Sequence, residues 1–296
     1  MQPLIDFSKI GLRKIRFVLT DIDDTLTENG RLPAKSYQAL ESLQQSGLKV
    51  IPITGRPAGW CDHIARMWPV DGVVGENGAF YFTYDSVHQK IKQRFWKDEN
   101  ERASDRKRLA QLRKIILAEV EGCAVASDQA YREADLAIDF CEDVPALSKS
   151  TVAQIVDIFE QAGAIAKVSS IHVNGWFGDY DKLSMTRILL AECFQTEMDS
   201  AQDQIVFCGD SPNDEPMFGF FENSVGVANV LDFADTLEKQ PRWITKNSTA
   251  SGFVELTSSF EEISAMDIDD LDIRNEFPVT VNRIFFCLFH VNFWPI

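Results

Sequence analysis

The sequence predicts an α/β protein, a doubly wound parallel sheet with an α+β layer inserted into it. Two observations carry the prediction. Three short runs, Phe17–Thr20, Leu48–Ile53 and Gln204–Cys208, are dominated by apolar residues, and each stops abruptly at a polar turn, as buried parallel strands do. Between the second and third runs, from Ala79 to Val173, strand and helix patterns mix in a different order, which marks a separate layer.

Phe17–Thr20 comes first and delivers Asp21, Asp23 and Asp24 to the carboxyl edge of the sheet, where open α/β sheets bind ligands. Pro33 then suits a first helical turn, Tyr37, Leu40 and Leu43 recur at helical spacing, and Gly47 suits a stop. Leu48–Ile53 follows and ends in Thr54-Gly55-Arg56. A right-handed crossover of this length brings Thr54 to the same edge as Asp21. Pro57 opens a helix with Trp60, Ile64 and Met67 on one face, and residues 70–74 form a third strand closed by Gly75-Glu76-Asn77-Gly78.

In the inserted layer the patterns predict a hairpin (79–84 and 90–96), helices over 106–120 and 148–161, and strands over 135–140 and 164–173. Helix returns over 182–194, strand over 204–208 and 224–228, and a further short strand at Trp243-Ile244. The expected division is a discontinuous core, 1–78 and 181–259, a cap over 79–180, and a C-terminal extension over 260–296.

A net charge of −16 argues against a nucleic-acid backbone or an anionic membrane as partner, since both select clustered Lys and Arg. An anionic small molecule remains compatible if a local cation offsets the overall field. The six cysteines contain no Cys-x-x-Cys pair and no complete zinc pattern, which fits reduced thiols. The N-terminus lacks the apolar stretch of a secretory signal, so a cytoplasmic location is expected. Near the C-terminus an acidic segment leads into Ile284–Phe289, too short for a membrane span of roughly 20 residues and followed by His290 and Asn292. Oligomeric state is left open.

Four elements thus meet at one sheet edge: the Asp21/Asp23 pair, the Thr54-Gly55 turn, Lys182 at a helix start, and the Asp210–Asp214 loop. Carboxylates from two strands offer the hard oxygen ligands that Mg²⁺ prefers, and the ion offsets their repulsion. A hydroxyl, backbone N–H groups and an ammonium complement phosphate oxygens. Each residue also has a plainer reading. The acids can form a solvated turn, Lys182 a solvated first-turn residue, Thr54 a helix N-cap, Asp214 a helix cap, and Arg56 an ion-pair partner.

Taken in order, Asp21-x-Asp23-x-Thr25, Thr54, Lys182 and Gly209-Asp210-x-x-Asn213-Asp214 resemble the four motifs of the haloacid dehalogenase (HAD) superfamily of aspartyl phosphatases. The resemblance covers about residues 15 to 255. The insertion resembles the superfamily's type 2 cap, with Gly75–Ala79 similar to the segment that introduces it. Trp176–Leu183 looks most like the sucrose, trehalose and mannosyl-phosphoglycerate phosphatases. The resemblance implies Asp21 as nucleophile and Asp23 as acid and base. It implies Thr54, Gly55, Lys182 and Asn213 as phosphate ligands, and Mg²⁺ held by Asp21, Asp23 (through its carbonyl), Asp210 and Asp214. In the cap, Arg132, His172, Asn174 and Trp176, together with Arg56 of the core, suit a sugar phosphate, although Trp176 and His172 equally suit structural roles. Two departures stand out: Asp24 where many members have Gly, and Leu183 where the commonest type 2 enzymes have Gly. The expected activity is hydrolysis of a small phosphorylated metabolite. A phosphomutase or phosphotransferase, or a non-catalytic module phosphorylated on Asp21, are the alternatives.

Overall fold

The computed structural model describes residues 1–272 of the chain. A six-stranded parallel sheet forms its centre, in the order β1 (Gln2–Pro3), β13 (Trp243–Ile244), β12 (Ser224–Gly226), β11 (Ile205–Gly209), β2 (Phe17–Thr20) and β3 (Lys49–Pro52). A parallel bridge from Ile53 to Val74 sets β4 (Val73–Gly75) beside β3. Thr20, Pro52 and Cys208 lie in one row of the register, so the residues that follow them share one edge. β2 is buried along its whole length, which is why its sequence is apolar on both faces.

Helices cover both faces of this sheet. One apolar cluster joins Val18, Val50 and Val206 to α2 (Ala34–Gln45), α3 (Ala58–Met67) and α8 (Thr249–Asp272), and the other joins Leu19, Ile51 and Phe207 to α6 (Lys182–Phe194) and α7 (Glu215–Phe220). The short α1 (Lys9–Lys14) is capped by the Ser8 hydroxyl. α8 reaches beyond the expected core boundary at residue 259, while the run Ile284–Phe289 falls outside the described residues.

The inserted segment forms its own layer. β7 (Ala124–Val125), β8 (Asp135–Asp139), β10 (His172–Trp176) and β9 (Ile165–Val168) make an antiparallel sheet in the order β7-β8-β10-β9. α4 (Glu99–Glu119) and α5 (Lys149–Gln161) cover one face, where Leu136, Ile138 and Val173 meet Leu112, Ile116 and Phe159. Strand alternation turns Asp135, Asp139, His172 and Asn174 to the opposite face. The single strand expected over 164–173 is two antiparallel strands, because the 169–171 turn reverses the chain between them. α4 begins earlier than expected because Asp98 and Glu101 form a capping box.

The hairpin β5 (Phe80–Asp85) and β6 (Lys90–Phe95), read from the sequence with the inserted layer, pairs with β4. Phe80 and Phe82 join one core cluster and Tyr81 the other. β6 is the outer strand of this three-stranded sheet and carries Lys90, Lys92 and Arg94 at alternate positions. After it, Lys97 donates to the Phe177 carbonyl at 2.8 Å and Trp96 packs on Tyr180, so the outgoing and returning chains run together.

Candidate active site

Asp21 follows β2 directly, and its N–H donates to the Cys208 carbonyl at 2.8 Å. Lys182, the first residue of α6, is 2% exposed and points its ammonium back under the sheet edge. Nζ lies 2.7 Å from Asp21 Oδ1 and 2.6 Å from Asp214 Oδ1. Burial works against the charge on Lys182, but the two carboxylates outweigh it and keep it protonated.

Asp214 accepts from the Asp210 and Ser211 N–H groups through its second oxygen, at 3.0 and 3.3 Å. It thus shapes its own loop while holding Lys182. Asp210 accepts from the Thr25 hydroxyl at 3.3 Å and from Asn229 Nδ2 at 3.0 Å. Asn229 also donates to the Asp24 carbonyl and accepts from Thr249 N–H, tying three loops together.

Among the described residues, Asp21, Asp210 and Asp214 bring carboxylate oxygens within 4.8 Å of one another, all three buried. One ammonium faces three acids. Burial pushes Asp21 and Asp210 well above the usual carboxylate range; Lys182 partly opposes this at Asp21, and the neighbouring acids reinforce it at both. A hard divalent cation fits this donor set, since it supplies the positive charge that the cluster lacks and accepts carboxylate oxygens.

The Thr54 turn is built from within. Arg56 N–H donates to Thr54 Oγ1 at 3.0 Å, and Asn77 N–H donates to the Thr54 carbonyl. The helix itself starts at Ala58 with Pro57 at its cap position, so Thr54 caps the turn and not α3. Asn213 donates to Asn77 Oδ1 and accepts from Ser211 Oγ.

Gly55, Arg56, Arg132, His172, Asn174, Ser211 and Asn213 enclose about 10 Å³ beside Asp21 and Asp23, space for roughly one water. Core and cap residues predicted from the sequence therefore do converge. Two have other employment, however. Arg132 is saturated by Asp128, Asp135 and the Gly55 carbonyl at 2.9–3.2 Å. Arg56 grips Asp23 with Nε and Nη2 and reaches Glu142 at 2.9 Å and Asp128 at 3.4 Å. It takes the ion-pair alternative noted above. Trp176 lies away from the pocket, stacked on Tyr180 in the core cluster.

Several site residues escaped the sequence reading. Glu142 lies 2.8 Å from His172 Nε2, and His172 and Arg56 together hold its carboxyl down at about 2. Glu76 accepts from the N–H groups of Ala58 in the core and Glu133 and Ala134 in the cap, at 2.6–2.9 Å. Asn229 sits just after β12 at the same edge, a position that the strand pattern could have flagged. Glu142 and Asp128 had no such signal, because they act across the cap–core gap. Asp24 has φ +54°, a left-handed conformation that glycine adopts freely, which fits the Gly that the resemblance places there.

Fold and site together define a capped α/β protein with a small pocket lined by Asp21 and Asp23 at the carboxyl edge of its sheet, and Lys182 buried against Asp21. Residues 18–135 match the haloacid dehalogenase-like hydrolase family, and the fold is the α/β core with an inserted cap that such proteins share. It is similar to Thermoplasma acidophilum protein 0175, at TM-score 0.63 and 20% identity over 83% of this chain and 98% of that one. It is also similar to the sucrose-phosphatase of Synechocystis, crystallised with sucrose and phosphate, at TM-score 0.56 and 18% identity over 83% and 97% of the two chains. A subclass IIB sugar phosphatase of the superfamily matches at TM-score 0.53 and 14% identity over 86% and 99%. Among curated proteins none matches significantly. No helix of the described residues is long and apolar enough to cross a membrane.

Proposed function

We propose that the protein is a Mg²⁺-dependent phosphatase that hydrolyses a small phosphorylated metabolite, a sugar phosphate, through an aspartyl-phosphate. The observation that carries this reading is the placement of Lys182 Nζ within 2.7 Å of Asp21 and 2.6 Å of Asp214, beside the buried carboxylate cluster. The match to the haloacid dehalogenase-like hydrolase family over residues 18–135 and the sugar phosphatases among the similar folds support it.

Asp21 is a weak nucleophile that would repel an anionic ester, so the site must first neutralise the ester. Lys182 does this from one side, and Gly55 and Asn213 line the pocket where N–H donors meet phosphate oxygens. Asp21, Asp210, Asp214 and the Asp23 carbonyl would hold Mg²⁺, which would supply the positive charge that the cluster lacks. Asp21 attacks phosphorus as the alcohol leaves, and Asp23 protonates the departing oxygen. Asp23 then takes a proton from the water that cleaves the acyl phosphate. Arg56 holds Asp23 with Nε and Nη2, so the acid is freed only when substrate or cap movement draws Arg56 away.

The test is phosphate release from glucose 6-phosphate and related esters with Mg²⁺. The reading predicts turnover that chelator removes and that Asp21→Asn abolishes. Full turnover by Asp21→Asn would remove Asp21 as nucleophile.

A further inference from the structure

The closed pocket beside Asp21 is too small for any ester, yet a cavity of about 460 Å³ lies next to it on the core. Asp23 and Arg56 line both spaces, so their ion pair is the wall between them. Trp60 and His63 from α3 and Trp68 at its end line the far side, and Tyr131 closes it from the cap. Gly59 allows that closure, since a Cβ there would lie 2.9 Å from the Tyr131 Cβ.

The chemistry of this lining is specific. The Arg56 guanidinium stacks over Trp60 with Cζ 4.5 Å from the ring centroid, which fixes the indole as a flat wall. Trp60 and Tyr131 nevertheless remain 43% and 59% exposed, an unusual state for two aromatic side chains facing one cavity. Flat aromatic faces with an acid, a guanidinium and an imidazole at the rim suit a ring that is apolar on its faces and hydroxylated at its edges. A proton donor must face the leaving oxygen, so the leaving group begins beside Asp23, and the cavity starts there.

We propose that this cavity is the leaving-group subsite, and that it takes a pyranose ring against Trp60 once Arg56 moves off Asp23. The core helix α3 then reads the sugar, while the cap face supplies closure. This inference rests on the phosphatase reading for its kinetics, but the ring contact itself does not.

Kinetics with glucose 6-phosphate and the compact ester glycerol 3-phosphate read the subsite through turnover. Trp60→Ala should lower kcat/KM for the sugar ester about tenfold or more, mainly through KM, and leave the compact ester within about twofold. Tyr131→Ala, at a second exposed side chain, should act in the same direction. Equal effects on both esters, or none, would overturn the subsite. Saturation-transfer NMR with methyl glucoside, which carries no phosphate, reads the cavity without turnover. Contact signals in the wild type that vanish in Trp60→Ala support the proposal, and signals absent from the wild type or unchanged in the variant overturn it. A wild type that binds the glucoside but hydrolyses neither ester would instead sink the phosphatase reading.

Discussion

Arg56, from the loop after β3, donates to Glu142 of the cap at 2.9 Å while the same guanidinium holds Asp23 of the core. The contact joins core to cap beside the pocket, on the path that the proposed ester would take. Glu142→Gln keeps the shape but removes the charge, so the closed state weakens. The expected outcome is faster limited proteolysis in the cap and a lower KM for bulky esters, because less work is needed to open. An unchanged cleavage pattern would show that Glu142 does not secure the cap.

Lys182 faces two buried acids, and removing it leaves both unpaired. Lys182→Ala should cost about 3–5 kcal/mol in urea unfolding along with all turnover, since an uncompensated buried charge is expensive. Adding Asp214→Asn to that variant should recover part of the stability and none of the activity.

Glu76 offers a pH test. Burial and the nearby Asp135, only partly opposed by Arg132, push its carboxyl up to about 8. A carboxyl raised on folding favours the fold most when protonated, so its contribution is full below the unfolded value near 4.5 and fades as pH rises through about 8. The Tm of wild type relative to Glu76→Gln should therefore fall between pH 5 and pH 9. A difference that stays level across that window would contradict the assignment.

Asn229 touches Asp210 but belongs to no motif recognised in the sequence. Asn229→Ala should weaken Mg²⁺ binding about 10–100-fold in calorimetry, as loss of a ligand's orienting partner does. The fold should survive, because the residue is only partly buried.

Asp24 carries the left-handed backbone that glycine holds more easily. Asp24→Gly is expected to preserve or raise stability by up to about 1 kcal/mol in thermal unfolding, since relief of strain competes with the greater freedom of an unfolded glycine. A clear loss would mean that the Asp24 side chain contributes more than its backbone costs.

The parallel sheet and its edge were legible because strand burial writes itself as apolar runs, and the polar residues that follow each run are forced to one side. Asp21, Thr54 and Asp210 could be read in this way, whereas Lys182, at a helix start, stood out only by the order of the motifs. The role of Arg56 could not, since nothing local distinguishes a phosphate ligand from a partner of Asp23 when Glu142 lies 86 residues away. Trp176 takes the structural alternative noted for it, packed in the core. A tryptophan on an alternating strand suits a sugar face or a core, and only the returning chain at Tyr180 decides between them. The hairpin β5–β6 and the strand before it were both visible, but their pairing was not, because a left-handed turn at Glu76 and Asn77 leaves no periodic trace.

The outermost strand of that hairpin has a bearing on how copies of the protein meet. An open sheet edge invites another chain to add a strand, and Lys90, Lys92 and Arg94 put a row of like charges along this one. Lys92 and Arg94 also reach back to Glu192 of α6, at 3.8 and 3.4 Å, so the charge along this edge is partly balanced within the chain. Charged side chains on an outer strand make its backbone costly to desolvate against a second copy, whichever sign they carry.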